Sequence, residues 1–128
     1  GAAPYRKGQV LHSVFAAAPY NANSERLYVS VSTANRVDIY DTSNEGLNFI
    51  NILTGINNPR GIAFHPTQPL AYVAELNNNR VSVIDTINET LVGTINGFAQ
   101  PDGLACTPDG KTLLVCNSGT NTVTVVSI

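Results

Sequence analysis

Apolar and β-branched residues fall in short runs of four to seven positions, broken by clusters of Asn, Asp, Gly, Pro and Ser, and no window carries a 3.6-residue apolar period. The stretch from residue 61 to 95 is representative. Gly61 to Phe64 is apolar, and a turn from His65 to Gln68 follows. Leu70 to Ala74 forms a second run, closed by the turn Leu76-Asn77-Asn78-Asn79. From Arg80 to Thr86, strict alternation sets Val81, Val83 and Asp85 on one side and Ser82 and Ile84 on the other, a strand pattern. Ile87-Asn88-Glu89 turns the chain again before Thr90 to Ile95. Later, Pro108-Asp109-Gly110-Lys111 is a hairpin signal, because Asp-Gly readily takes the positive φ such turns need. The pattern predicts four short antiparallel strands and no helix.

The same pattern recurs. Leu27-Tyr28-Val29-Ser30, Ala71-Tyr72-Val73-Ala74 and Leu113-Leu114-Val115-Cys116 align at offsets of 44 and 42 residues. Those offsets also superpose Asn35 to Thr42 on Asn79 to Thr86 and on Asn121 to Ile128. Asn58 to Pro66 is matched by Gln100 to Pro108, with a degenerate copy at Ala17 to Ala22. Four antiparallel strands per 40–45 residues is the sign of a β-propeller blade, since sandwiches seldom repeat in sequence and solenoid coils are shorter. The expected fold is therefore all-β: a propeller of four-stranded blades, three per chain. Residues 1–13 are read as a closing strand, 14–57 as blade unit 1, 58–99 as unit 2 and 100–128 as unit 3 without its own outer strand. The first inner strand is placed at residues 14–20. Propeller rings need about four to eight blades. The expectation is a homodimer that closes a six-bladed ring, each chain's N-terminal strand completing the other's last blade. A piece of a longer or engineered propeller is the alternative.

These repeats resemble the YVTN family of β-propeller repeats. The resemblance is carried by Ala71-Tyr72-Val73-Ala74 through Asn79-Arg80-Val81-Ser82-Val83-Ile84-Asp85-Thr86, by Pro101-Asp102-Gly103 and by Pro108-Asp109-Gly110-Lys111, over roughly residues 14–128. Leu114 in place of Tyr and the turn Ser30 to Ala34 depart from the pattern. The resemblance implies the propeller fold. Its range of relatives, from surface-layer proteins to lactonase-like enzymes, leaves function open.

Composition narrows the classes further. The 128 residues carry 7 basic and 9 acidic side chains, a net charge of −2, with only 12% charged residues. That balance gives no footprint for nucleic acid or anionic lipid, and no apolar stretch approaches the roughly 20 residues of a membrane helix. Polarity comes instead from 15 Asn, 12 Thr and 8 Ser against 2 Lys, which favours an extracellular, cell-surface or periplasmic setting. With no Met, Gly1 is read as a processed or designed start.

Candidate chemistry is sparse. The hairpin register puts Cys106 near Leu113 and Cys116 near Gly103, roughly 10 Å apart and too far for a disulfide, so both are expected as buried structural thiols. His65 is expected as a solvated turn residue, and His12 as a rim residue preceding the first inner strand. No metal-ligand spacing, nucleophile elbow or phosphate loop is present, so no cofactor, metal or catalytic residue is assigned. Asp41-Thr42 and Asp85-Thr86 are read as turn chemistry, and Asn88-Glu89-Thr90 is a glycosylation sequon. Propellers bind at the channel mouth, which places candidate ligand contacts at Arg60, Asp102, Glu75, Asn77, Asn78 and His12. The reading is a binding or scaffold module with a protein or carbohydrate ligand; the competing class is a lactonase-like hydrolase.

Overall fold

A computed structural model of the chain describes residues 11–17, 25–43 and 47–128, and gives only the backbone course for 11–17. Eleven strands run in chain order: β1 (Leu11–Ala17), β2 (Arg26–Val31), β3 (Arg36–Asp41), β4 (Asn48–Leu53), β5 (Pro59–Phe64), β6 (Leu70–Glu75), β7 (Arg80–Asp85), β8 (Thr90–Asn96), β9 (Pro101–Cys106), β10 (Thr112–Asn117) and β11 (Thr122–Ser127). They form three antiparallel sheets, β1-β2-β3-β4, β5-β6-β7-β8 and β9-β10-β11, each with neighbours in chain order. The inner strands β1, β5 and β9 pack beside one another. Each sheet is one repeat unit, and the units are called blades 1, 2 and 3 below.

The Asn-rich turns explain the tight link between second and third strands. In blades 1 and 2 the chain makes one 3₁₀ turn, Ser32–Ala34 or Leu76–Asn78, a local helical feature that the strand periodicity did not predict. Each turn ends on an Asn in the left-handed region, Asn35 at φ 54° and Asn79 at φ 52°. Asn121 occupies the same position and conformation in blade 3, at φ 55°. Asn tolerates this conformation better than other residues with a Cβ, which is why the repeat keeps it there.

Alternation along β2, β6 and β10 gives each blade a leading face toward the preceding blade and a trailing face toward the next. Tyr28, Val37 and Ile39 on the trailing face of blade 1 pack against Ala71, Val73 and Ile84 on the leading face of blade 2. Ala63, Tyr72 and Val81 of blade 2 pack against Leu113 and Val115 of blade 3 in the same way. Ile56 and Phe98, each in a linker between blades, plug these joints. The core thus lies between blades, where sheet-on-sheet burial of Val, Ile and Tyr supplies the stabilising apolar area.

Two expectations change. The first inner strand is Leu11–Ala17, not residues 14–20, so β1 extends across the division drawn at residue 13, and His12 lies within a strand rather than before one. Phe15 opposes Tyr28, thirteen positions apart, whereas Ala63 opposes Tyr72, nine apart. Blade 1 therefore has four extra residues between these paired positions, which displaces the repeat offset for its first strand. The expected closing strand before residue 11 lies outside the described residues. The cysteines also differ. Leu113 does oppose Cys106, as the hairpin required. Cys106 is only half-buried, and Cys116 is exposed on the trailing face of blade 3. Burial pushes the Cys106 thiol up from its ordinary pKa.

Candidate functional site at the inner-strand rim

The rim is built where the inner strands begin and where the second-to-third-strand turns reach over them. Arg60 in β5 and Asp102 in β9 stand at the same repeat position and meet across the blade joint. Arg60 Nε lies 3.3 Å from Asp102 Oδ1 and its Nη2 lies 3.5 Å from Oδ2. Both side chains keep about a third of their surface in water, 27% and 31%. The pair offers a neutral, half-exposed fork to a ligand rather than a free cation. Asn77 and Asn78 sit exposed in the blade 2 turn, where Asn58 Nδ2 donates to Asn77 Oδ1 at 3.4 Å and Asn57 Nδ2 to Asn78 Oδ1 at 3.5 Å. The side chain of His12 lies outside the described residues.

Glu75 is buried below the exposed rim groups, at the end of β6. Oε2 accepts from Arg80 Nε at 2.9 Å and from the Ser82 hydroxyl. Oε1 accepts from Arg80 Nη2, from Asn78 Nδ2 at 3.0 Å and from the Asn57 backbone N–H at 2.9 Å. Burial alone pushes the Glu75 carboxyl up, but these donors outweigh it and hold the group below the ordinary carboxylate range. The Glu75 carboxylate is spent on the fold.

The repeat shows what this buried position needs. Asn117 replaces Glu75 in blade 3: its Oδ1 accepts from the Ala99 N–H, the linker amide equivalent to Asn57, and its Nδ2 donates to Thr122 and Thr124. In blade 1 the position is Val31, and the acid moves to Asp38, the equivalent of Ser82, where Arg36 Nε donates to Oδ1 at 2.8 Å. Arg36 and Arg80 thus keep an acid in blades 1 and 2, at position 38 in one and 75 in the other, and where Thr122 replaces the Arg in blade 3 the acid is lost as well. That concerted change is legible in the aligned repeats and marks Glu75 as structural.

His65 is likewise more than a solvated turn residue. Its Nδ1 accepts from the Thr67 and Gln68 N–H groups, so Nε2 carries the proton and donates to Gly110 O at 2.9 Å. The half-buried ring staples the blade 2 hairpin to the blade 3 hairpin. At that end of the blades, Arg26 Nε also lies 3.4 Å from Glu89 Oε2, an ion pair that links blade 1 to the β7–β8 turn. Asp41 and Asp85 do cap their turns, with Asp85 Oδ1 accepting from the Ile87 N–H at 2.8 Å. Among the described residues, no three His, Cys, Asp or Glu side chains converge as a metal site.

No family model matches the chain. Over 92 residues it is 38% identical to the uncharacterized protein YncE of Salmonella typhimurium, an alignment covering 70% of this chain and 25% of that protein. The chain thus spans about a quarter of the length of the curated relatives it matches. In structure it superposes on a protein from Lactobacillus plantarum with TM-score 0.78 and 22% identity, over 100% of this chain and 40% of the other. It also superposes on the Cps50 (Swd1) β-propeller domain of Myceliophteria thermophila with TM-score 0.74 and 13% identity, over 93% of this chain and 38% of that one. The fold is a β-propeller fold. At these identities the structural likeness establishes that fold alone.

Proposed function

We propose that the chain is a binding and scaffold module of the YVTN type that closes with a second copy into a six-bladed ring. Its proposed ligand, a protein or a carbohydrate, sits at the channel mouth on the Arg60–Asp102 fork and the Asn77 and Asn78 amides. One observation carries this reading: the trailing faces of blades 1 and 2 are covered by the next blade, while the equivalent face of blade 3 is open and apolar. Tyr28, Val37 and Ile39 are fully buried, whereas Val123, equivalent to Val37, is 59% exposed and Val125, equivalent to Ile39, is 68% exposed. Apolar equivalents left in water favour association. An extracellular, cell-surface or periplasmic home remains the proposed setting. A hydrolase would need converging carboxylates at the rim, and there Glu75 is buried and Asp102 is paired.

Light scattering after gel filtration tests the ring. A folded species of twice the 13.6 kDa chain mass is expected, and a folded species at the single-chain mass overturns the reading. A lactone-hydrolysis screen on the same material is expected to show no turnover, and turnover abolished by Asp102→Asn would favour the hydrolase.

A further inference from the structure

We infer that the one-residue bulges at Ile50 and Val92 hold shut two strand-pairing surfaces, the outer edges of β4 and β8, and that the partner they exclude is the same edge of a second copy. The inference is independent of the ring reading, because both strands are the fourth of a four-stranded blade whether or not a ring forms. β4 and β8 carry no charged residue and no Pro, and neither of the chain's 2 Lys lies in them. Among the described residues, no strand pairs with the far side of either. An edge without charge, Pro or a cover presents its outward N–H and C=O groups to any extended chain. Ile, Leu, Val and Thr in such an edge favour the pairing.

The bulge is the protection that remains. Val37 to Ile39 pair with Leu53 to Asn51, and Tyr40 and Asp41 pair with Phe49 and Asn48, so Ile50 is the extra residue of β4. Arg80 to Val83 pair with Asn96 to Gly93, and Ile84 and Asp85 pair with Leu91 and Thr90, so Val92 is the extra residue of β8. The two bulges stand at one repeat position, next to the equivalent pairs Ile39–Asn51 and Val83–Gly93. Packing does not call for either. Ile50 is 42% exposed, Val92 is 56% exposed, and neither takes part in the apolar joints between blades. An extra residue bends and twists its strand and puts the outward groups on its two sides out of step. A straight strand laid along the edge can match only one side of the bulge, two or three residues in β4 and two or four in β8. Runs that short do not hold a strand pair together.

The two edges are not guarded equally. Asn51 Oδ1 accepts from the Ile52 N–H at 2.9 Å, and Asn51 Nδ2 donates to Glu89 O at 3.4 Å. That side chain occupies an amide of its own strand and ties β4 to the β7–β8 turn. Gly93 is the equivalent of Asn51 and has no side chain to do either, so β8 relies on Val92. The excluded partner follows from the charge. Two uncharged β8 edges do not repel each other, and an edge that pairs with its own copy about a two-fold axis is self-complementary.

Light scattering after gel filtration, over a concentration series of the full chain, tests the guard. It compares wild type with deletion of Val92, deletion of Ile50, and deletion of Val92 combined with Thr94→Lys. Deleting Val92 leaves six residues of β8 in one unbroken register with β7, so the dilute chain is expected to keep its circular dichroism. Association beyond the wild-type species is expected at concentrations about a hundredfold lower than for wild type. Deletion of Ile50, with Asn51 still in place, is expected to shift it about tenfold. Thr94→Lys sets a charge on the straightened edge and is expected to return association to within about threefold of wild type. A Val92 deletion that folds and associates as wild type does overturns the guard. A Val92 deletion that no longer folds also overturns it, because the bulge would then belong to the fold and not to its edge. Association that Thr94→Lys does not reverse overturns it as well, since the contact would then lie away from β8.

Discussion

Blades 2 and 3 solve one packing problem with different chemistry. At the end of β6, a carboxylate answers the linker amide of Asn57 and gathers Arg80 and Ser82; at the end of β10, the neutral Asn117 answers the linker amide of Ala99 and gathers Thr122 and Thr124. The comparison teaches that the fold requires an acceptor for that linker N–H and a satisfied buried cluster, and does not require charge. It also predicts unequal costs. Glu75→Ala strips the partners from a partly buried guanidinium and a buried hydroxyl, and should lower stability by about 3–5 kcal/mol. Asn117→Ala leaves the Ala99 amide and the Thr124 hydroxyl without their Asn117 partner, while the exposed Thr122 hydroxyl keeps Thr120, and should cost about 1–3 kcal/mol. Transplanting the blade 3 set into blade 2, as Glu75→Asn with Arg80→Thr and Ser82→Thr, should restore all but about 1–2 kcal/mol of the Glu75→Ala loss. Urea unfolding of the three variants reads this out, and equal losses for the two alanine substitutions would break the comparison.

The two inner-strand glycines sharpen it. Gly61 lies under the backbone of the next blade and Gly103 does not. In dilute chain, Gly61→Ala must push β9 away and should cost about 1–3 kcal/mol, while Gly103→Ala should stay within about 0.5 kcal/mol of wild type. Thermal unfolding at a concentration below any association distinguishes them, and a Gly61→Ala chain as stable as wild type would mean that β5 and β9 are not held this close.

The architecture was legible because period-2 alternation and a repeat near 43 residues each point to the same blade. Val81 and Val83 did fall on the face opposite Ile84, and the aligned repeats put Arg60 and Asp102 at one position without showing that they pair. What escaped the reading depended on distances between segments far apart in sequence. Glu75 looked like a rim carboxylate because exposure cannot be read from a turn-proximal position; its burial comes from Asn57, Arg80 and Ser82 closing over it. His65 looked solvated because its partner, Gly110, is 45 residues away. The four extra residues before Tyr28 were hidden because Ala17 to Ala22 passes for a degenerate copy of Gly61 to Pro66 at the 44-residue offset.

Glu75 and Glu89 provide the finest contrast, since their environments push in opposite directions. The Glu75 carboxyl is held below its ordinary value of 4.5, so its contribution to stability is present above that value and is lost as pH falls through the folded pKa. Glu89 is raised from 4.5, chiefly by burial, with Arg26 pulling the other way. Its contribution is therefore complete below the ordinary value and is lost as pH rises through the folded pKa. Turn hydrogen bonds also lower Asp41, Asp85 and Asp109, so differences between variants carry the information rather than the curve itself. Measured from about pH 3 to 8, the thermal midpoint of Glu75→Gln should lose less than wild type on the acid side. Glu89→Gln should flatten the limb above pH 4.5 by the equivalent of less than about 1 kcal/mol, because Arg26 remains partly solvated. Parallel shifts of both variants at every pH would mean that neither carboxyl changes its protonation on folding, and the electrostatic contrast between the two ends of blade 2 would be lost.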